Sequence, residues 1–232
     1  METLNNPLIW ANFILWIVGT ALILIIGMIV FRLSQKTEIE QDEAQKKHLL
    51  TWGYFFLILV ISNVLILLWR FVISNSLFVD ILERCANALF YTACFIKVFD
   101  IEKRGMKKKR YFFSYIIGII IILNLVVSPS LLKTISPLQI AFICIVTLGY
   151  SVFPIIYFLV SRQAMGEVRG NALKVSAGAI FLALGYLFRP ENLVAYRITP
   201  FLNTVIDCFY ITCPISIIIG ILLIYESFRK GQ

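Results

Sequence analysis

Long apolar stretches separated by short polar segments dominate the hydrophobic pattern of this chain. A transmembrane helix needs roughly 20 mostly apolar residues to cross about 30 Å of hydrocarbon. The pattern therefore predicts seven transmembrane helices, at approximately 8–32, 49–70, 77–99, 111–129, 138–161, 172–189 and 200–226. The third is the least hydrophobic, because it carries Asp80, Glu83, Arg84, Asn87 and Lys97.

The composition supports the same class of protein. The chain has 232 residues, of which 60% are hydrophobic and 15% are charged, whereas a soluble domain is about half apolar and about a quarter charged. Seven spans leave only short loops, which excludes a soluble catalytic, kinase or nucleic-acid-binding domain. We therefore expect an all-α, multi-pass protein of the cell membrane, with residues 1–232 forming a single seven-helix transmembrane domain.

The distribution of lysine and arginine predicts the orientation, because cytoplasmic loops carry an excess of these residues. The segments after the first, third, fifth and seventh predicted helices hold fifteen basic residues, and the segments on the opposite side hold four. This imbalance places the N-terminus outside and the C-terminus in the cytoplasm.

The densest basic segment follows the third predicted helix and is a candidate contact for membrane lipid or for a cytoplasmic partner. It contains Lys103, Arg104, Lys107, Lys108, Lys109 and Arg110. The alternative is that these residues only determine the topology. In either case they explain the net charge of +8 without a nucleic-acid partner, and none is predicted.

Charged side chains inside a bilayer are costly and usually face the interior of the helix bundle. Arg84 and Asp207 lie at similar depths below the outer ends of their helices, at 1.5 Å per residue, so we expect them to pair. Helical spacing extends this group into an outward-facing polar cluster of Glu83, Arg84, Asn87, Tyr91, Asn203, Asp207 and Tyr210. The cluster is interpreted as a ligand pocket, an interhelical clamp or a proton or ion path. Lys97, near the cytoplasmic end of its helix, is expected to extend to the membrane surface.

The sequence offers little support for an enzyme, and we predict no catalytic residues and no metal site. The single histidine, His48, is expected in the first cytoplasmic loop, which excludes a histidine-rich metal site within the membrane. A transporter remains an alternative, since small sugar carriers share the seven-helix plan. Those carriers contain proline in equivalent helices of both halves, whereas the first three predicted helices here contain no internal proline.

The order of helices, Arg84 followed by Asn87, and Asp207 in the last helix resemble the microbial rhodopsins. The resemblance implies a seven-helix bundle in which Asp207 matches a counter-ion. In that family a retinal-bearing lysine follows this aspartate by four residues, but Ile211 occupies the position here. Without that amine covalent retinal is excluded, so no cofactor is predicted.

The chain is equally similar in plan to prokaryotic seven-transmembrane sensor proteins. We therefore expect a receptor-like or sensor-like protein that signals through a separate cytoplasmic partner, with a homo-oligomer as a further possibility. The alternatives are a small-solute, ion or proton transporter and a structural or accessory membrane subunit.

Overall fold

The computed structural model describes residues 7–36, 43–73, 75–105, 111–127, 136–189 and 199–229. Within these ranges the chain forms seven α-helices: α1 (Pro7–Lys36), α2 (Glu43–Leu67), α3 (Ser76–Gly105), α4 (Phe112–Val126), α5 (Ser136–Gln163), α6 (Gly166–Leu187) and α7 (Thr199–Arg229). Each predicted span coincides with one of these helices, so the prediction of an all-α chain is confirmed.

Five of the helices are long and apolar enough to cross a membrane: α1, α2, α5, α6 and α7. Helix α3 has sufficient length, at 30 residues, but its charged side chains lower its hydropathy. Helix α4 is strongly apolar and has 15 residues, about 22 Å at the α-helical rise. The crossing of the membrane by all seven helices, and their orientation, stay predictions.

The second helix begins earlier than the hydrophobic pattern indicated. Helix α2 starts at Glu43, so the expectation that His48 lies in a loop is wrong. Glu43 and Lys47 form an i,i+4 ion pair of 3.2 Å on its first turns, and such pairs support a polar helical segment beyond the apolar run. The helix therefore extends out of its apolar stretch and carries His48 on its first turns.

Two local features mark points where the chain turns between helices. A π-helical turn, Leu68–Val72, follows α2 and buries Trp69 and Arg70. Gly166 begins α6 with a φ of 59°, a left-handed conformation that glycine adopts without the steric cost of a Cβ atom. This glycine allows the chain to leave α5 and enter α6 within a few residues.

The chain contains two compact packing units, one of residues 1–19 and 127–232 and the other of residues 20–126. In the second unit, α3 packs against both α2 and α4. A Cβ atom on Gly27 of α1 would lie 3.0 Å from the Cβ of Phe56 on α2, so α1 approaches α2 closely there. Helix α3 is thus the central element of this unit. The single-domain assignment stays a prediction.

In the first unit, α6 packs against α5 and α7. Small residues bring α6 and α7 together, since a Cβ atom on Gly178 would lie 2.6 Å from the carbonyl oxygen of Gly220. Small residues at an interface let helix backbones approach closely, as is common between membrane helices. The side chain of Asn12 on α1 donates a hydrogen bond to the carbonyl of Tyr210 on α7.

The described helices bury several polar side chains beside their apolar core and expose many large apolar ones. Ser62, Asn63 and Lys97 are fully buried. Many large apolar side chains are exposed instead, including Ile14, Ile122 and Val126. A soluble monomer rarely exposes large apolar surfaces, so this distribution fits a helical protein surrounded by lipid.

Candidate functional site

The predicted outward-facing cluster begins with Glu83 and Arg84, which are half-buried on α3. The Arg84 guanidinium binds the carboxylate of Asp80, one turn earlier, at 2.8 Å. It also donates a hydrogen bond of 3.2 Å to the carbonyl of Leu125 on α4. Arg84 therefore has a carboxylate partner on its own helix and links α3 to α4.

The other predicted members of this cluster lie on α3 and α7. Tyr91 is buried and Asn87 is half-buried on α3. Tyr210 on α7 is half-buried, whereas the side chains of Asn203 and Asp207 lie outside the described residues. The α3 and α7 members belong to different packing units. The pairing of Arg84 with Asp207 and the outward-facing pocket accordingly stay predictions.

The predicted basic contact begins at the C-terminal end of α3. Lys103 and Arg104 are both exposed there. Lys107, Lys108, Lys109 and Arg110 lie outside the described residues. The contact of this segment with lipid or with a partner stays a prediction.

Lys97 does not extend to the surface, and that expectation is wrong. Its side chain is completely buried, and its ammonium donates a hydrogen bond of 2.9 Å to the hydroxyl of Thr51 on α2. The ammonium also lies 3.6 Å from the Asp100 carboxylate and 4.3 Å from the centre of the Trp52 ring. A hydroxyl, a carboxylate and an aromatic face thus replace the water that the ammonium would have found at the surface.

Asp100 is the centre of this arrangement. Its carboxylate is 2.8 Å from the guanidinium of Arg104 and 3.3 Å from Nδ1 of His48. It also accepts a hydrogen bond of 3.2 Å from the hydroxyl of Thr51. One carboxylate therefore joins α2 to α3. We call His48, Thr51, Trp52, Lys97, Asp100 and Arg104 the Asp100 cluster.

The α2 side of the Asp100 cluster is ordered by its own contacts. The indole nitrogen of Trp52 donates a hydrogen bond of 3.3 Å to Nε2 of His48. That bond leaves the opposite ring nitrogen, Nδ1, facing Asp100. Trp52 is fully buried, so it fixes the position of the imidazole from inside the helix pair. This hydrogen bond sets which ring nitrogen meets the carboxylate.

A second buried carboxylate near the end of α3 positions α4. Glu102 accepts hydrogen bonds from the backbone amides of Phe113 at 2.8 Å and Ser114 at 3.0 Å. The hydroxyl of Ser114 donates to the same carboxylate. These amides belong to the first turn of α4, where backbone N–H groups have no intrahelical partner and negative charge is favourable. Glu102 therefore caps α4 from α3.

A groove of about 800 Å³ lies beside the Asp100 cluster, between the start of α2 and the end of α3. We call it the α2–α3 groove. Leu50, Phe95, Ile96 and Phe99 form its apolar part, and Glu43, Lys47, Thr51, Asp100, Lys103 and Arg104 form its polar part. Asp100 and Thr51 belong both to this lining and to the cluster that joins the two helices. A group that enters the groove therefore reaches Thr51 and Asp100, which bind each other between α2 and α3.

Comparison of the chain with protein-family models, with curated proteins and with solved structures finds no match. The resemblance to rhodopsins and to seven-helix sensors stays a prediction. Within the described part of the chain, no group of three or more His, Cys, Asp and Glu side chains is arranged to hold a metal ion.

The Asp100 cluster was not predicted, although part of it is visible in the sequence. Lys97, Asp100 and Arg104 follow one another at spacings of three and four residues, which places them on one face of a helix. The predicted span ends at residue 99, before Asp100, so Lys97 is interpreted alone and expected to reach water from the helix end. The α2 members carry no comparable signal, since only packing brings Thr51 to Lys97.

Proposed function

We propose that this chain is a sensor-like membrane protein of seven transmembrane helices, with its N-terminus outside the cell and its C-terminus in the cytoplasm. Helix α3 passes a change at its outer end to the Asp100 cluster at its cytoplasmic end. A separate cytoplasmic partner reads the state of that cluster. A ligand or proton at the polar group around Glu83 and Arg84 provides the input.

The observation that carries this proposal is the placement of ion pairs near both ends of α3. Asp80 pairs with Arg84 near one end, and Asp100 pairs with Lys97 and Arg104 near the other. Arg84 and Lys97 are separated by 13 residues of helix, or about 20 Å. A charge group at each end of a rigid helix connects the two surfaces of a membrane.

The contacts of α3 with its neighbours support transmission along it. Arg84 binds a carbonyl of α4, and Glu102 caps the first turn of the same helix. On the other side, Ser62 of α2 donates a hydrogen bond of 2.8 Å to the carbonyl of Ala86, and Thr51 binds Lys97. A displacement of α3 therefore changes polar contacts with α2 and α4 at both ends.

Hydrogen–deuterium exchange tests the proposed coupling. In the purified protein in lipid nanodiscs, Arg84→Gln removes the outer charge without touching the Asp100 cluster. We expect amide exchange at residues 43–51 and 97–104 to accelerate about fivefold or more, the lower range of allosteric coupling. An acceleration confined to the turns around Arg84 contradicts the proposal.

Two control variants separate coupling from loss of stability. Arg162→Gln removes an exposed charge at the end of α5 and should leave both segments unchanged. Ser62→Ala removes a neutral hydrogen bond between α2 and α3. If Ser62→Ala accelerates exchange at the Asp100 cluster as much as Arg84→Gln does, general weakening of the unit explains the effect and the proposal fails. Solute uptake by vesicles containing only this protein would favour the transporter alternative.

A further inference from the structure

The α2–α3 groove combines an apolar wall with a cationic rim. Its apolar part holds two aromatic rings that stack on each other, Phe95 and Phe99, with centroids 5.9 Å apart. Phe99 in turn stacks on Tyr111, which precedes α4, at 5.0 Å. Phe99 is 39% exposed, so a continuous aromatic surface faces outward at the end of α3.

The rim of the α2–α3 groove has an excess of positive charge. Lys47, Lys103 and Arg104 line it together with two acids, Glu43 and Asp100, so three cations against two carboxylates leave a charge of +1. Lys97 lies directly behind Asp100 and raises the local charge to +2. The described lining of the groove is therefore electropositive although two carboxylates border it.

The individual ion pairs show which cations are available to an anion. Within the described ranges, Lys47 pairs only with Glu43, and the two side chains are 63% and 87% exposed. Exposed pairs of this kind contribute little. Lys103 has no ion-pair partner among the described residues. Arg104 is engaged by Asp100. An incoming anion therefore meets Lys103 and Lys47 first.

We propose that the α2–α3 groove binds an anionic phospholipid, with the phosphate at Lys47 and Lys103 and an acyl chain along Phe95, Ile96 and Phe99. Charge complementarity selects the anionic headgroup, and the aromatic wall selects a ligand with an apolar tail. Each basic side chain near a membrane surface strengthens the attraction of anionic lipid. The inference rests on the proposed membrane position of α2 and α3.

Bound lipid would regulate the Asp100 cluster, because both share the same residues. A phosphate at the rim lies close to Arg104 and Asp100, which line the groove. It competes with Asp100 for the Arg104 guanidinium, and so weakens an ion pair within α3 that holds the carboxylate bound by His48 and Thr51 of α2. Lipid composition would thereby change the state that the cytoplasmic partner reads.

Native mass spectrometry of the full chain in a non-ionic detergent tests this site. The probes are a phosphatidylglycerol and a phosphatidylcholine with identical acyl chains. We expect phosphatidylglycerol to bind more tightly, and Lys47→Gln combined with Lys103→Gln to weaken it about 25-fold, or roughly fivefold for each basic residue. Both side chains are exposed, so this variant retains the fold, and its binding of phosphatidylcholine should not change.

A matched control and a free-anion arm make the test decisive. Arg162→Gln combined with Arg169→Gln removes the same charge from exposed positions on α5 and α6 and should leave phosphatidylglycerol binding unchanged. If both double variants weaken phosphatidylglycerol binding equally, the lipid is attracted by the general surface charge of the protein, and the proposed site is overturned. If phosphatidylglycerol and phosphatidylcholine bind equally well, the occupant is not an anionic lipid. If inorganic phosphate displaces phosphatidylglycerol as effectively as added phosphatidylglycerol does, the site binds free phosphate and the lipid is overturned as its occupant. These outcomes leave the exchange response to Arg84→Gln unaffected, so the two proposals fail separately.

Discussion

Four side chains bind the carboxylate of Asp100, and they depend on it to different extents. Lys97 is completely buried, so its ammonium has no access to water if the carboxylate is removed. Asp100 keeps Arg104, His48 and Thr51 if the ammonium is removed. The contributions of the two partners to stability are therefore unequal.

We predict that Asp100→Asn destabilises the protein more than Lys97→Met does. Asp100→Asn leaves a buried ammonium without a counter-charge, which costs about 3–5 kcal/mol. Lys97→Met retains the apolar stem and leaves a carboxylate with other donors, so we expect about 1–3 kcal/mol. Denaturant unfolding in one detergent measures both.

Two further variants test the origin of this asymmetry. Lys103→Met changes an exposed lysine on the same helix and should leave the unfolding midpoint unchanged. The double variant, Lys97→Met with Asp100→Asn, should cost less than the sum of the single variants, because neither charge is then left unpaired. Equal costs for the two single variants would contradict the asymmetry. Strict additivity would show that Lys97 and Asp100 do not stabilise each other.

At the scale of elements, the helices are held together by different means. Charged and hydroxyl side chains join α2 to α3, and Glu102 joins α3 to α4 through helix capping. Helices α6 and α7 instead approach through glycine, since Gly178 faces the carbonyl of Gly220. The first kind of contact is sensitive to charge, and the second is sensitive to the volume of one methyl group.

We predict opposite effects for two Gly→Ala substitutions in α6. Gly178→Ala places a Cβ atom 2.6 Å from the carbonyl oxygen of Gly220, so α6 and α7 must separate, at a cost of about 1–3 kcal/mol. Gly170 has nothing within 4 Å of such an atom, and Gly170→Ala should stabilise the helix by up to about 1 kcal/mol. Thermal unfolding in detergent compares them, and a Gly178→Ala variant as stable as the wild type would contradict the close packing.

At the scale of the whole molecule, topology depends on whether α3 and α4 cross the membrane. Neither is among the five helices that qualify by length and hydropathy. Helix α3 keeps its charges near its ends and has no charged side chain from Cys85 to Ile96. Glu102 caps α4, which reduces the cost of placing a helix end close to the hydrocarbon. We expect both helices to cross.

Single cysteines on either side of α3, α4 and α5 test this topology. An impermeant maleimide applied to intact cells should label Asn75→Cys and Val127→Cys. It should label Lys103→Cys and Met165→Cys only after lysis. All four positions lie in the last turn of a helix or beyond its end. The unmodified chain is the control, because it measures the labelling of the native cysteines. Labelling of Lys103→Cys from outside would show that α3 does not cross.

The sequence by itself determined the class of protein and the positions of the seven helices, because hydrophobic runs and their polar boundaries are local properties of the chain. Lys97, Asp100 and Arg104 share one face of α3 because the helix continues to Gly105, beyond the predicted end at residue 99. Only the tertiary structure decided what that face contacts: Thr51 and Trp52 are more than 40 residues away in the chain, and packing brings them to Lys97. The same packing keeps Lys97 from the surface, because a buried ammonium is stable only where a hydroxyl, a carboxylate and an aromatic ring replace its water.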